Sequence, residues 1–234
     1  MKPTVFLFDI DGTLITTGGA GRRAIERAFQ QVYGRPDAVS GISFGGMTDP
    51  AILRAGLLAL GYHEGNTILK EAMDILLNCY LSVLAEEVEQ AANYWIHEGV
   101  TASLDRLEGR PEFAVGLGTG NIREGARIKL SKVSLFDRFG FGGFGCDSED
   151  RAELLRAGAR RGAETLRVPL SQCRVVIIGD TPKDIAAAHA MGAECLAVAT
   201  GFYSLETLLE CKPALAVSNL NDTKAISFLL EPSR

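Results

Sequence analysis

Cysteine is scarce in this 234-residue chain and carries no pattern. Cys79, Cys146, Cys173, Cys195 and Cys211 are odd in number, widely spaced and free of any C-x-x-C pair. That spacing argues against a disulfide framework and against a zinc site, and free thiols suit a reducing compartment. The three histidines, His63, His97 and His189, lie far apart and lack metal-ligand spacing. No apolar run approaches the roughly 18 to 20 residues of a membrane span. There is no basic excess either, since 24 Lys and Arg stand against 29 Asp and Glu, with both signs spread along the chain. A nucleic-acid surface would need a clustered basic face, and a membrane patch a polybasic run. Met1-Lys2-Pro3-Thr4 leads straight into a short apolar segment and then acids, without the pattern of a signal peptide. A cytoplasmic location, with neither nucleic acid nor membrane as partner, is therefore expected.

The apolar residues, 47% of the chain, suffice for a buried core. The length suits one large domain, or a core plus a smaller one. Thr4-Val5-Phe6-Leu7-Phe8 is a short apolar run ended by Asp9, as expected of a strand buried on both faces. Similar runs occur at 113–117, 174–178 and 195–198, a weaker one at 215–217, and a glycine-rich candidate at 139–144. Helical patterns at 122–133, 152–165 and 182–191 alternate with these strands. The alternation predicts an α/β fold with a doubly wound parallel sheet, helices on both faces and ligands at the carboxyl edge.

Residues 17–95 break the alternation. Ala24, Ile25, Ala28, Phe29, Val32 and Tyr33 form a stripe of helical period. Asp49-Pro50 fits an N-cap followed by proline at N1, opening a helix that runs to Leu60, and 68–88 predicts a long third helix. An all-helical cap domain at 17–95, inserted into a core of 1–16 and 96–234, is the expected organisation. Its hinges are expected near 15–21 and 95–99.

The strongest chemical signal is Asp9-Ile10-Asp11-Gly12-Thr13, where the first strand ends. Residues two apart in an extended chain face one side, so Asp9 and Asp11 can share a small volume. Adjacent carboxylates repel, and a site that keeps them needs a cation or a shared proton. Magnesium favours carboxylate, water and phosphate oxygens. Gly12 permits a sharp turn and Thr13 can hydrogen-bond it, as would equally hold for a simple surface turn. A second cluster, Leu117-Gly118-Thr119-Gly120-Asn121, ends the 113–117 strand. Asn121 and Glu124 match an N-cap and its N3 partner, and amides at a helix N-terminus suit an anion. A third, Ile178-Gly179-Asp180-Thr181-Pro182-Lys183-Asp184, follows the 174–178 strand. Here Thr181 as N-cap and Pro182 at N1 make Asp184 a capping-box acid.

In this order the three clusters resemble the motifs of the haloacid dehalogenase-like hydrolases, over nearly the whole chain. The helical cap resembles that of the phosphoglycolate phosphatase-like and β-phosphoglucomutase-like members. The resemblance implies a magnesium-dependent phosphatase acting on a small phosphorylated metabolite, as a monomer or homodimer. It implies Asp9 as nucleophile forming an aspartyl-phosphate, Asp11 as general acid and base, and Thr119 as the phosphate-binding hydroxyl. Magnesium would be held by Asp9, Asp11 through its backbone carbonyl, Asp180 and Asp184. Gly12, Thr13, Gly120 and Asn121 would line the phosphate end. Thr48, within Phe44–Asp49, stands where relatives carry substrate contacts, and Arg22 at the opening of the first cap helix can reach an anion or be solvated. The family's usual lysine in its third motif is missing. Within Cys146–Glu153 only Arg151 offers a cation, which makes it the expected substitute. Lys183 is a rival beside the metal motif; Lys129 and Lys132, inside the preceding helix, are expected to be poorer ones. A β-phosphoglucomutase-type phosphomutase is the alternative reading. A non-catalytic domain or phosphoacceptor signalling domain is the alternative from another class, and the cap insertion argues against a receiver.

Overall fold

A computed structural model describes residues 2–65 and 67–230. Strand β1 (Thr4–Phe8) is buried along its whole length. It lies between two parallel neighbours, β4 (Phe113–Gly118) and β6 (Arg174–Gly179). With β5 (Gly142–Gly143), β7 (Glu194–Val198) and β8 (Leu215–Val217) they form a six-stranded sheet in the order β5-β4-β1-β6-β7-β8. Side chains along β1 alternate between two cores. Phe6 and Phe8 join Leu104, Leu130, Val176 and Leu229 on one face, while Val5 and Leu7 join Leu154, Leu155, Ile177 and Ile185 on the other. The helices that supply these partners, α4 (Val100–Leu107), α5 (Arg123–Ser131), α6 (Arg151–Leu166), α7 (Pro182–Ala190) and α9 (Thr223–Leu230), cover both faces, as the alternation predicts. A short α8 (Leu205–Glu210) precedes β8. No helix among the described residues is long and apolar enough to cross a membrane.

The register prepares the site. Phe8 pairs with Leu117 on one side and Ile178 on the other. Asp9 therefore leaves the sheet level with Gly118 and Gly179, the last residues of β4 and β6, and Thr119 and Asp180 follow one step on, where the winding changes direction around β1.

Between β1 and β4 the chain passes through a two-stranded antiparallel ribbon, β2 (Ile15–Thr16) with β3 (Trp95–Ile96). The ribbon brackets α1 (Ala20–Tyr33), α2 (Asp49–Ala59) and α3 (Thr67–Gln90). These helices gather an apolar cluster of their own around Phe29, Leu53, Leu57, Leu76 and Tyr80. The start of α2 corrects the sequence expectation by one residue. Thr48 is the N-cap, its hydroxyl accepting the Ala51 N–H at 3.2 Å, so Asp49 is N1 and Pro50 N2. The Asp49 carboxylate cannot cap its own helix because it is drawn to the amide of Ile122, 3.0 Å away.

The strand expected at 139–144 shrinks to Gly142–Gly143 because α6 crosses it at backbone contact. A Cβ on Gly143 would lie 1.9 Å from the Leu154 carbonyl oxygen. Gly143→Ala must push a whole helix aside, and we expect it to cost about 1–3 kcal/mol. Urea denaturation measures this; an unchanged midpoint would show that α6 shifts freely.

Candidate active site at the carboxyl edge of the sheet

Three carboxylates, from the loops after β1 and β6 and from the first turn of α7, converge above β1 and β6. One oxygen each of Asp9, Asp180 and Asp184 lies within 4.8 Å of the others, and all three residues are buried. Glycines make the convergence possible. Gly12 has φ 84°, and a Cβ there would stand 2.4 Å from Asp180 Oδ2. A Cβ on Gly201 would be only 1.8 Å from the same oxygen. Thr13, expected to brace the turn, instead donates its hydroxyl to Asp180 Oδ1 at 2.9 Å.

Arg151, the first residue of α6, is buried among these acids. Its Nη2 lies 3.2 Å from Asp9 Oδ2 and 2.5 Å from Asp184 Oδ1, and its Nε donates to the same Asp184 oxygen at 2.8 Å. Asp184 closes the expected capping box as well: its Oδ2 accepts the Thr181 N–H at 3.0 Å and the Thr181 hydroxyl at 2.7 Å. Both Asp184 oxygens are thus engaged by protein donors, while Asp9 and Asp180 keep more free acceptor capacity. Burial would lower the Arg151 pKa, but Asp184 and Asp9 hold it above the ordinary arginine value. Lys183 lies with its stem against Gly46, whose Cβ would be 2.8 Å from the Lys183 Cβ.

Asp11 lies outside the three-acid group. Its carboxylate turns to the opposite wall, where Oδ2 accepts from Lys129 Nζ at 2.7 Å and from Asn121 Nδ2 at 2.8 Å. Its Oδ1 takes only a long 3.3 Å bond from Thr17. Asn121 also donates to the buried Thr119 hydroxyl at 2.8 Å and accepts from Lys129 at 2.6 Å. The expectation that Asn121 caps α5 is therefore incorrect. Ile122 holds the N-cap position, without a side-chain bond, and Asn121 is spent on charged and hydroxyl partners. Glu124 pairs with Arg127 instead. Lys129, expected to be a poor rival cation because it lies inside a helix, is instead buried in the site on Asp11; its sequence signal is only a lysine on the buried side of α5. Lys132 donates to the Val88 and Glu89 carbonyls near the end of α3.

The two acid groups differ in electrostatics. Burial raises the Asp9 carboxyl to about 6; Arg151 opposes the shift, while Asp184 and Asp11 add to it. Asp180 is pushed well above the usual range by burial and then by Asp9 and Asp184. Burial pushes Asp11 up too, but the Lys129 charge and the bonds from Lys129, Asn121 and Thr17 outweigh it and hold it below its ordinary value.

A cavity of about 320 Å³ opens onto these groups. Gly120 lines it, and Met47 packs so closely that a Gly120 Cβ would be 2.2 Å from its carbonyl oxygen. Ile25, Phe44, Ile52, Phe202 and Tyr203 are also in its wall. Arg22 reaches this wall, its guanidinium 3.9 Å from the Phe44 ring centre, and donates to the Ile42 carbonyl at 3.1 Å. Thr48, buried, serves its helix as N-cap.

Asp9 binds a proton more tightly folded than unfolded, and Asp49, raised to about 6 by burial, does the same. In chelator-treated protein the stability contributed by these two groups is therefore fully present below the ordinary 3.8 and is lost as pH rises through about 6, while His97, lowered by burial, acts in the opposite direction. Asp11, with a lowered pKa, adds stability that is fully present above the ordinary 3.8 and is lost only as pH falls below it. Asp9→Asn should flatten the decline in thermal melts taken across pH 4–7. An equal slope in that variant would contradict the raised Asp9.

A family model described as haloacid dehalogenase-like hydrolase matches residues 3–192. A phosphoglycolate phosphatase of Pseudomonas fluorescens is 24% identical, with 99% of this chain and 81% of that protein aligned. One from Pseudomonas syringae pv. tomato is 25% identical over 93% of this chain and 77% of its own. Among solved structures, a hydrolase from Pseudomonas syringae superposes with a TM-score of 0.66 at 18% identity, covering 98% of this chain and all of that one, and it shares the fold.

Proposed function

Because the chain belongs to the haloacid dehalogenase-like hydrolases, we propose that it is a phosphatase of small soluble phosphate monoesters. The observation that carries this reading is the division of labour between its two acids. Asp9 stands beside a buried guanidinium and a second acid loop, while Asp11 is held apart on a lysine. In the proposed reaction an Asp9 oxygen attacks phosphorus in line as the bond to the leaving oxygen breaks, giving an aspartyl-phosphate. Asp11, ionised in the free site, takes up a proton as the substrate's negative charge raises its pKa, and gives that proton to the leaving oxygen. It then takes one from the water that attacks the phosphorus, which releases phosphate and restores Asp9. Arg151 and the Thr119 hydroxyl bind the phosphoryl oxygens, with the Gly120 amide beside them. The relatives named phosphoglycolate phosphatase support a monoester of this size.

The donor set fits magnesium. Crowded carboxylates with raised pKa values are relieved by a divalent ion, and oxygen-only ligands suit a hard one. Asp9 and Asp180 would hold it, joined by the Asp11 backbone carbonyl and with Asp184 behind them; when bound it would offset charge gathering on the phosphoryl group. Asp184, both oxygens engaged, is then chiefly the residue that orients Arg151. Residues 17–95 are proposed as the cap domain, with the β2–β3 ribbon as its hinge. The cap loop at Phe44–Met47 would set what enters and exclude bulk water.

Asp9→Asn should abolish magnesium-dependent hydrolysis of a generic phosphate ester while leaving the circular dichroism spectrum intact. Undiminished turnover would defeat the nucleophile assignment. Arg151→Ala should lower kcat by about 10²- to 10³-fold. Near-normal kinetics would pass the role to Lys183.

A further inference from the structure

Lys129 is the other buried cation of this site. It is 3% exposed, on α5, more than two turns beyond Asn121, and its ammonium is surrounded by residues from four parts of the chain. It donates to Asp11 Oδ2 at 2.7 Å and to Asn121 Oδ1 at 2.6 Å. Gly21 of α1 lies so close that a Cβ there would be 3.2 Å from Nζ. The charge of Asp49, at the start of α2, acts on it as well. The Lys129 backbone is tied in turn, its carbonyl accepting the Tyr94 hydroxyl at 2.7 Å. Burying a lysine is costly and must be offset by close pairing, so a chain that keeps one here gains something from its charge.

We propose that Lys129 is a positioning residue that orients the Asp11 carboxylate toward the leaving group. This rests on the reading of Asp11 as general acid. The geometry supports a clamp on one oxygen: Oδ2 is fixed by two donors, Oδ1 keeps one long bond, and 40% of the Asp11 side chain remains exposed at the cavity. Asn121 transmits the same constraint to Thr119, so one ammonium sets both the acid and the phosphate-binding hydroxyl. Because Gly21 and Asp49 complete its surroundings, Lys129 is fully enclosed only while α1 and α2 sit against α5. Alignment of Asp11 is thereby coupled to the placement of the helices above it.

A leaving-group comparison tests the assignment, because proton donation matters most when the departing oxygen is basic. The measured quantity is kcat/KM, which covers the steps up to departure of the leaving group. An alkyl phosphate and a nitrophenyl phosphate are assayed with magnesium for wild type, Lys129→Met, Lys129→Gln and Asp11→Asn. We expect Lys129→Met to lose about 10²-fold on the alkyl ester and at least about tenfold less on the nitrophenyl ester. Lys129→Gln, which retains N–H donors, should fall between wild type and Met with the same selectivity. It carries the comparison alone if the Met variant lacks the native circular dichroism spectrum. Equal losses on both esters, or none, in the Lys129 variants would overturn the proposal while a selective Asp11→Asn leaves the general-acid reading standing. Equal losses in Asp11→Asn as well would overturn both.

Discussion

Buried carboxylates must be matched by charge of the other sign, and that requirement organises this molecule. Two acid oxygens 4.8 Å apart repel by about 3–4 kcal/mol at the effective dielectric of a protein site. An ordinary hydrogen bond returns about 1 kcal/mol, so donors such as Thr13 cannot hold the cluster alone. Two buried cations divide the load: Arg151 stands between Asp9 and Asp184, and Lys129 takes Asp11. The division leaves one acid with a raised pKa and the other with a lowered one, though only Ile10 separates them in the chain. Without a divalent ion these shifts run against the proposed roles; the ion's charge would ionise Asp9, and the phosphoryl charge beside Asp11 would raise that group toward the protonated form its role requires.

The scaffold makes this arrangement affordable through register and through missing side chains. Parallel pairing on both sides of β1 delivers Asp9, Thr119 and Asp180 to one edge without distortion of any strand. Gly12 and Gly201 then let two loops close on Asp180, and Gly143 lets α6 bring Arg151 down onto the acids. The cavity above is lined by polar groups at the sheet edge and also by the apolar side chains of Phe44, Ile25 and Phe202. These linings have separate owners: the sheet edge supplies the polar groups, and the inserted helices with the loop at Phe202 supply much of the rest.

Much of this was legible in the chain because the signals are local. An apolar pentapeptide ending in Asp-x-Asp-Gly-Thr announces both strand and turn, and Thr181-Pro182 with Asp184 announces a capping box that the structure contains. Arg151 could be singled out because it is the one cation within Cys146–Glu153, where the resemblance calls for one. What escaped depends on contacts far apart in sequence. Lys129 meets Asp11 across 118 residues, and Asp49 meets Ile122 across 73. No periodicity within α5 distinguishes a lysine that turns inward from one that is solvated. The two-residue strands β2 and β3 are too short for alternation to register, and Gly142-Gly143 has no side chains with which to show it. Asn121 was misassigned because a carboxamide before a helix has the same local appearance whether it serves the backbone or a network of charges.

Asp49 joins α2 to the loop after β4 by a two-way link: its N–H reaches the Gly120 carbonyl at 2.8 Å, and its carboxylate receives the Ile122 amide. These bonds straddle Asn121 and begin immediately after Thr119. Lifting the helices therefore cannot be a motion of the roof alone. Two backbone groups in the floor lose their partners at the same instant, so the doorway and the anvil beneath it are a single mechanical part.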